Sequence, residues 1–503
     1  QFYMKRIITT LFLLGSLSAG INAQELYKPC ITPLVYKEAM DADPEVQRRN
    51  DELEAYTRNF ANHGAQSRGA SVDSPILIIP VVVHIFHEYG SENISDAQVY
   101  SAIKVLNRDF QKRNADTATV LDRFKPIIGK ANIEFRLAQL DPDGNCTRGI
   151  TRTFSKLTRD GRQNEAMANI INWNTQNYLN IYIVRAIDGA GAFSNYPSAY
   201  PPGSKLAGVV CSFSQFGSIG ASQGNFSERT IPHEVGHYLN LPHTWGNSND
   251  PGLAVNCSDD DGVKDTPNTI GVSGQGCNRS MSSCPGDASP VANVENTMDY
   301  SSCSKMFTIG QAERMRAALR GAPSRKNLWT EANLIATGTN DGYVPVRCAP
   351  RADFVGPKSG CTNTSLVFTD KSWKDTVSTW NWSFPGAIVD DSTAQNPEVS
   401  YTQPGTYSVT LKVSNAAGES ILVRKNSLVI YTDSSKLLAP FSEGFEGNDL
   451  IAKGWVVESD DARTWERTKL ASYSDSACYY IKNWNGNPAG AADALILPAM
   501  NFE

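Results

Sequence analysis

Three of the chain's six histidines fall within Thr230-Ile231-Pro232-His233-Glu234-Val235-Gly236-His237-Tyr238-Leu239-Asn240-Leu241-Pro242-His243. His233 and His237 are four residues apart, so on a helix they share one face and offer two ring nitrogens to a single Zn²⁺ ion. Glu234, beside the first ligand, is placed to hold and deprotonate a water in the open coordination position. A zinc site of this kind supplies Lewis acidity and a hydroxide-like nucleophile near neutral pH, and that combination hydrolyses a peptide bond. His243 offers a third ring, but six residues is about 1.7 turns, on the wrong side of a continuing helix. The backbone must therefore leave the helix and reverse near Asn240, in the left-handed conformation that Asn tolerates best after Gly. Pro242 then discourages a return to helix.

A second group, Asn296-Thr297-Met298-Asp299-Tyr300, follows about 55 residues later and gains a mechanism from that placement. Met298 beneath the metal gives the imidazoles an apolar floor. Tyr300 can donate its phenol proton toward the tetrahedral oxyanion. His84 and His87 belong to or flank a strand and read as packed residues, and His63 receives no chemical role.

These residues need a scaffold. Ile76–Phe86 is dense in β-branched residues, the signature of a buried strand. Ser95–Phe110 predicts a helix with Ser95 as N-cap, since Val99, Ile103 and Leu106 recur at helical spacing. Ile133–Ala138 and Asn180–Val184 predict further strands, so strands and helices alternate over 75–240. Past 250 the texture turns rich in Gly, Asp, Ser and Cys, and a helix follows at Ile309–Leu319. After the linker-like Thr337–Gly342 come short strands with period-two alternation: Trp380–Phe384, Glu398–Tyr401 and Tyr407–Val413. A further unit begins near Ala439, with strands expected at Phe441–Gly447, Gly454–Val456 and Ala494–Leu497. With about 65 residues it lacks the strands to close a sandwich, and the expectation is a truncated β-sandwich over 439–503.

The 503 residues exceed one ordinary core, and 41% hydrophobic with 19% charged residues is a globular balance. Lys+Arg 46 against Asp+Glu 52 leaves a net charge of −6, which argues against nucleic acid as a partner. No apolar run approaches the ~18 residues of a membrane helix. Lys5 and Arg6 precede the apolar Ile7–Leu17 and a small residue at Ala23, so 4–23 reads as a secretory signal peptide and Gln1-Phe2-Tyr3 as translated upstream sequence. Residues 24–67 are polar, carry one helix-like segment around 44–62, and end in a flexible Arg-containing loop, as a removable prosegment does. The expected location is outside the cell, free or held at the surface through a region beyond residue 503.

At this point the sequence resembles the metzincin zinc proteases and, within them, the pappalysins (peptidase family M43). The clan motif H-E-x-x-H-x-x-G-x-x-H is matched from His233 to His243, with Asn240 in the glycine position. Met298 corresponds to the Met-turn and Tyr300 to the tyrosine of the catalytic site. Gly149–Thr153, Asn180–Ile183, His243–Gly246, Phe307–Gln311 and Arg314-Met315 extend the likeness over roughly 75–335. The resemblance implies an α+β, two-lobed catalytic domain at 68–335: a twisted mixed sheet with backing and active-site helices above, and an irregular lower lobe after the third ligand. It also implies a secreted zinc endopeptidase acting on proteins or peptides, made as a latent zymogen, with substrate paired along an edge strand near Ala190–Asn195. The alternative is an adhesive or scaffold protein whose protease domain is vestigial. Some pappalysins favour basic residues after the cut through an acid beyond the Met-turn tyrosine; here Ser301-Ser302-Cys303 follows Tyr300 without one. Oligomeric state is not legible.

The loop Asp259–Pro267 crowds carboxylates around a Gly turn, which suits Ca²⁺. The family likeness strengthens that expectation and assigns Asp261, Thr266 and the carbonyls of Asp260 and Lys264 as ligands of a structural calcium. Ten cysteines suggest an oxidising compartment. Cys257, Cys277, Cys284 and Cys303 allow three pairings, and the family pattern implies Cys257–Cys284 and Cys277–Cys303. Cys348 and Cys361 bracket the start of the next domain and are expected to pair, with Cys146–Cys211 as a weaker candidate. Cys30 and Cys478 then stand single, Cys478 awaiting a partner beyond the C-terminus. Cys30, alone in the prosegment, has the chemistry of a cysteine switch whose thiolate fills the open position on zinc. Residues 350–431 resemble a PKD domain through Trp380-x-Trp382-x-Phe384, Asn396-Pro397-x-Val399-x-Tyr401 and Gly405-Thr406-Tyr407-x-Val409-Thr410-Leu411-x-Val413-x-Asn415, implying a spacing or docking β-sandwich.

Overall fold

The β-branched run predicted as the first strand forms β1 (Leu77–His87), buried along its whole length. Its uninterrupted hydrophobicity follows from its position, because both of its faces and both of its edges are covered. In the computed structural model, which describes residues 30–66, 75–223, 226–274, 276–431 and shorter stretches between 437 and 501, one sheet runs β2-β1-β4-β6-β5. β2 (Ile133–Leu137) and β3 (Ile150–Phe154) pair in parallel with successive halves of one edge of β1. β4 (Leu179–Val184) pairs along its other edge, and β6 (Gly208–Ser212) follows in parallel. The short strand β5 (Ala192–Ser194) lies antiparallel at the rim, inside the segment expected to receive substrate. The signal-peptide residues lie outside the described residues.

Below the sheet, Ile79, Val81, Val83 and Ile85 pack with α3 (Asp96–Phe110) through Val99, Ala102, Leu106 and Phe110. Ser95 caps α3 by accepting from the Gln98 N–H, as its residue type predicts. The same core takes Ile231 and Val235 of α5 (Thr230–Tyr238), which fixes the histidine-bearing helix beneath the sheet. After α5 the chain has little regular structure until α6 (Ile309–Gly321), whose capping box at Thr308 and Gln311 sets its start. Two disulfides, Cys257–Cys284 and Cys277–Cys303, cross-link this lower lobe, as the family pattern implies. The segment α1 (Thr32–Ala42), which periodicity did not reveal, and α2 (Glu45–Gln66) lie against the body, α2 chiefly on α6. A short α4 (Asn164–Ile170) covers the far face of the sheet, and α7 (Glu331–Thr337) ends at Gly338, whose φ of 64° caps it in the left-handed conformation.

Beyond residue 350 a second core forms around Phe354, Phe368, Trp382, Phe384, Tyr401 and Leu411. Thr379–Ser383, Gly405–Asn415, Gly418–Tyr431 and Ser359–Cys361 make one sheet of this sandwich, and Ala387–Val389, Glu398–Tyr401 and Leu366–Val367 the other. In the last segment Val456–Ser459 pairs with Asp493–Ile496; the second overlaps the strand expected at Ala494–Leu497, the first shares only Val456 with that expected at Gly454–Val456, and the described residues between Phe441 and Gly447 form no strand.

Two cysteine expectations are corrected. Cys348 pairs with Cys146 across a sequence separation of 202, leaving Cys361 and Cys211 as free thiols. Cys211 points from β6 into the sheet core, beyond reach of Cys146 in an exposed turn. Cys361 ends a strand bonded to Tyr431, so docking of the two domains rather than chain proximity selects the partner of Cys348. Around that staple, Arg148 pairs with Asp375 at 2.6 Å, and the Tyr89 hydroxyl donates to Asp353 at 2.7 Å while accepting from Arg424. Non-reducing peptide mapping is expected to recover Cys146 linked to Cys348 and Cys361 as an alkylatable thiol; a Cys348–Cys361 peptide would overturn the pairing.

Candidate active site

Helix α5 turns Ile231, Val235 and Tyr238 into buried packing and leaves His233 and His237 together on its other side. The chain then reverses as its sequence predicts: Asn240 has φ 74°, and the Leu241 N–H reaches back to the Gly236 carbonyl at 3.0 Å. That is the long backbone bond of a left-handed helix cap. The Arg314 guanidinium donates through Nε to the Asn240 carbonyl at 2.6 Å and holds the turn from the lower lobe. His243 is thereby delivered to the other two rings.

The three Nε2 atoms lie 3.1, 3.2 and 3.2 Å apart. Nitrogens around a tetrahedral zinc are separated by about 3.3 Å, given Zn–N bonds of about 2.0–2.1 Å. The other ring nitrogens fix the tautomers. His233 Nδ1 donates to the Thr297 carbonyl at 2.8 Å and His237 Nδ1 to the Leu241 carbonyl at 2.6 Å. Their Nε2 atoms therefore point bare lone pairs at one spot. Burial holds His233 down to about 4 and drives His237 and His243 well below the ordinary imidazole range, so all three are neutral ligands. The donor set fits a metal ion.

Met298 is fully buried under this cluster. A Cβ built on Gly236 would meet its sulfur at 2.5 Å, so glycine at that position of α5 is what lets the methionine come so close. Trp245 stacks on His243 with ring centroids 4.3 Å apart, and Tyr300 stands edge-on to the same imidazole at 4.8 Å. Glu234 is buried beside the rings; burial pushes its carboxyl up to about 8, against the opposing pull of hydrogen bonds from Cys30 and Thr32.

The N-terminal segment lies directly on these groups. Cys30 Sγ joins the three imidazoles in one cluster of ligand atoms, all within 4.8 Å of one another, and approaches Glu234 Oε2 at 3.5 Å. The Cys30 carbonyl accepts the Tyr300 hydroxyl at 2.8 Å. Ile31 donates to the Ala192 carbonyl of β5 at 3.4 Å. Thr32 donates to Glu234 Oε2 at 3.2 Å and accepts the Ser194 N–H at 2.9 Å. Burial and the Glu234 charge push the Cys30 thiol well up, so a thiolate there requires a neighbouring cation. Sequence reasoning missed Thr32, and also Tyr196, whose hydroxyl lies 3.3 Å from His237 Nδ1. Spacing from Cys30 was the available hint for Thr32; nothing in the sequence flags Tyr196.

His84 bridges Thr151 and Asn180 within the sheet, and His87 accepts the Tyr89 N–H, so both are packed as expected. The side chain of His63 lies outside those described. In the lower lobe Asp261 is buried with one carboxylate oxygen unpartnered, next to the buried Thr266 hydroxyl. Both are hard oxygens of the kind calcium selects, while the side chains of Asp260 and Lys264 are exposed.

Residues 161–320 match the family model for peptidase M43, described as pregnancy-associated plasma protein-A, and residues 347–427 match a PKD domain model. An extracellular metalloprotease of Colletotrichum graminicola is 31% identical over 249 residues, 48% of this chain and 75% of that protein. The chain belongs to the M43 metallopeptidase family. An extracellular metalloprotease of Trichophyton verrucosum is 27% identical over 273 residues, 53% of this chain and 87% of its own length. Among solved structures, a promirolysin point mutant of Tannerella forsythia is 34% identical, covers 61% of this chain and 98% of its own, and superposes with a TM-score of 0.52. The fold is that of these M43 metalloproteases followed by a PKD β-sandwich, and the protein is a metallopeptidase acting on peptide bonds.

Replacing Asn240 tests the turn. Asn240→Gly is expected to keep bound metal, whereas Asn240→Val imposes about 1–2 kcal/mol of left-handed strain and lowers both metal content and melting temperature. Equal metal content and melting temperature in the two variants, by elemental analysis and calorimetry, would contradict this account.

Proposed function

We propose that the protein is a secreted, zinc-dependent endopeptidase made as a latent precursor. Residues 4–23 direct export, 24–67 form the prosegment, 68–335 the catalytic domain, 350–431 an accessory sandwich and 439–503 a further β unit. The observation that carries the reading is the meeting of His233, His237 and His243 at Nε2 separations of 3.1–3.2 Å with Glu234 buried alongside. The extracellular relatives and the disulfides both suit an oxidising compartment.

Zinc, when held by the three rings, supplies Lewis acidity and brings the pKa of a bound water toward neutrality. Glu234 takes the proton of the attacking water and returns it to the departing amine. Tyr300, donating to the Cys30 carbonyl in the precursor, turns the same phenol toward the oxyanion of a substrate. Strand β5 aligns the peptide, as the contacts of Ile31 and Thr32 with Ala192 and Ser194 already do for the prosegment. Latency is a cysteine switch centred on Cys30 and reinforced by Thr32, whose hydroxyl occupies the base. Asp261 and Thr266, with the carbonyls of Asp260 and Lys264, hold a structural calcium ion that organises the lower lobe.

Mature wild-type enzyme is expected to hydrolyse casein and to carry one zinc per chain by elemental analysis, and Glu234→Ala to lower turnover about a thousandfold. Equal turnover by the two proteins would remove the enzyme reading and leave an adhesive module with a vestigial site. Cys30→Ala is expected to make the unprocessed precursor active on casein; a variant as silent as its parent would sink the switch.

A further inference from the structure

On the exposed face of α2, Arg48 pairs with Glu45 and Glu52, and Gln47 donates to Asp51. Glu54 faces inward. Its carboxylate accepts Arg314 Nη1 at 2.9 Å, Arg314 Nη2 at 2.5 Å and Asn240 Nδ2 at 3.0 Å. The Arg314 side chain is only 8% exposed, and its Nε is committed to the Asn240 carbonyl, the turn that carries the chain from His237 to His243. A fork of two N–H groups plus a side-chain amide, converging on one carboxylate, is a built receptor for such a group.

We propose that, once the prosegment has gone, this receptor is a substrate subsite for an acidic side chain, Glu or Asp, lying several residues from the scissile bond. The proposal rests on reading 24–67 as a removable prosegment and 233–243 as the hydrolytic centre. Among the described ion pairs of Arg314, Glu54 is the partner, and it leaves with the prosegment. Two guanidinium N–H groups and the Asn240 amide are then released from their carboxylate and face the space that α2 has vacated. The prosegment covers both places at once: Cys30 lies at the rings beside β5, while α2 lays Arg49 on the Ser198 carbonyl and Glu54 on Arg314. Prosegment and substrate would therefore compete for the same charge.

The test uses the processed full-length enzyme and paired peptides of one cleavable sequence, with Glu or its neutral isostere Gln placed in turn at each of six positions on both sides of the cut. Wild type is expected to favour Glu over Gln at one position by about tenfold in kcat/KM, shrinking toward unity in high salt, as a charge-assisted pair requires. In Arg314→Gln and Arg314→Lys the Glu/Gln ratio at that position is expected to fall to about one and to an intermediate value, a readout that general loss of activity does not move. Wild-type cleavage with equal rates for Glu and Gln at every position overturns the subsite alone, and so does an unchanged ratio in Arg314→Gln. If Arg314→Gln does not fold, the salt dependence of the wild-type ratio decides: a ratio constant from low to high salt overturns the proposal. Failure of the wild-type enzyme to cut any peptide overturns the hydrolytic reading itself, and the subsite with it.

Discussion

Three imidazole lone pairs directed at one point repel each other unless a cation lies among them, and much of the catalytic unit serves to impose that arrangement. Two peptide carbonyls, from Thr297 and Leu241, fix the rings by accepting their remaining N–H groups. Those carbonyls belong to the methionine turn and to the reversed segment after α5, so each polypeptide excursion in the lower lobe is tied to a specific imidazole. The close approach of Met298 to Gly236 locks the turn under the helix, and the shared core of β1, α3 and α5 keeps the helix from sliding. Metal affinity and lower-lobe folding are therefore coupled.

Local chemistry was readable and long-range choice was not. The histidine spacing, the reversal at Asn240, the Ser95 cap and the buried first strand all follow from short-range rules, and each stands where those rules put it. The partner of Cys348 was misread because it is fixed by domain docking across 202 residues, which leaves no trace in spacing. Helix α1 has only a weakly amphipathic pattern and depends on tertiary packing, with Val35 and Ala39 buried against the body. Tyr196 and Arg314 belong to the same class. Their side chains acquire meaning only from what tertiary packing sets beside them.

The first residues of the described chain behave as an imitation of a bound peptide. One carbonyl sits on the phenol, one sulfur sits with the imidazoles, one hydroxyl sits on the base, and the backbone bonds to the rim of the sheet. Held together on one segment these contacts act at high effective concentration, with the Cys30 sulfur among the imidazoles as the one that keeps the others in place.

The β-sandwich is not hung on a loose tether. A covalent bond from Cys146 to Cys348, the Arg148–Asp375 pair and the Tyr89–Asp353–Arg424 triad fasten it to the far end of β1 and the loop beside β3. Orientation is thus a fixed property of the molecule. The catalytic groove and the sandwich therefore turn together, and a contact made by either one sets the direction in which the other faces.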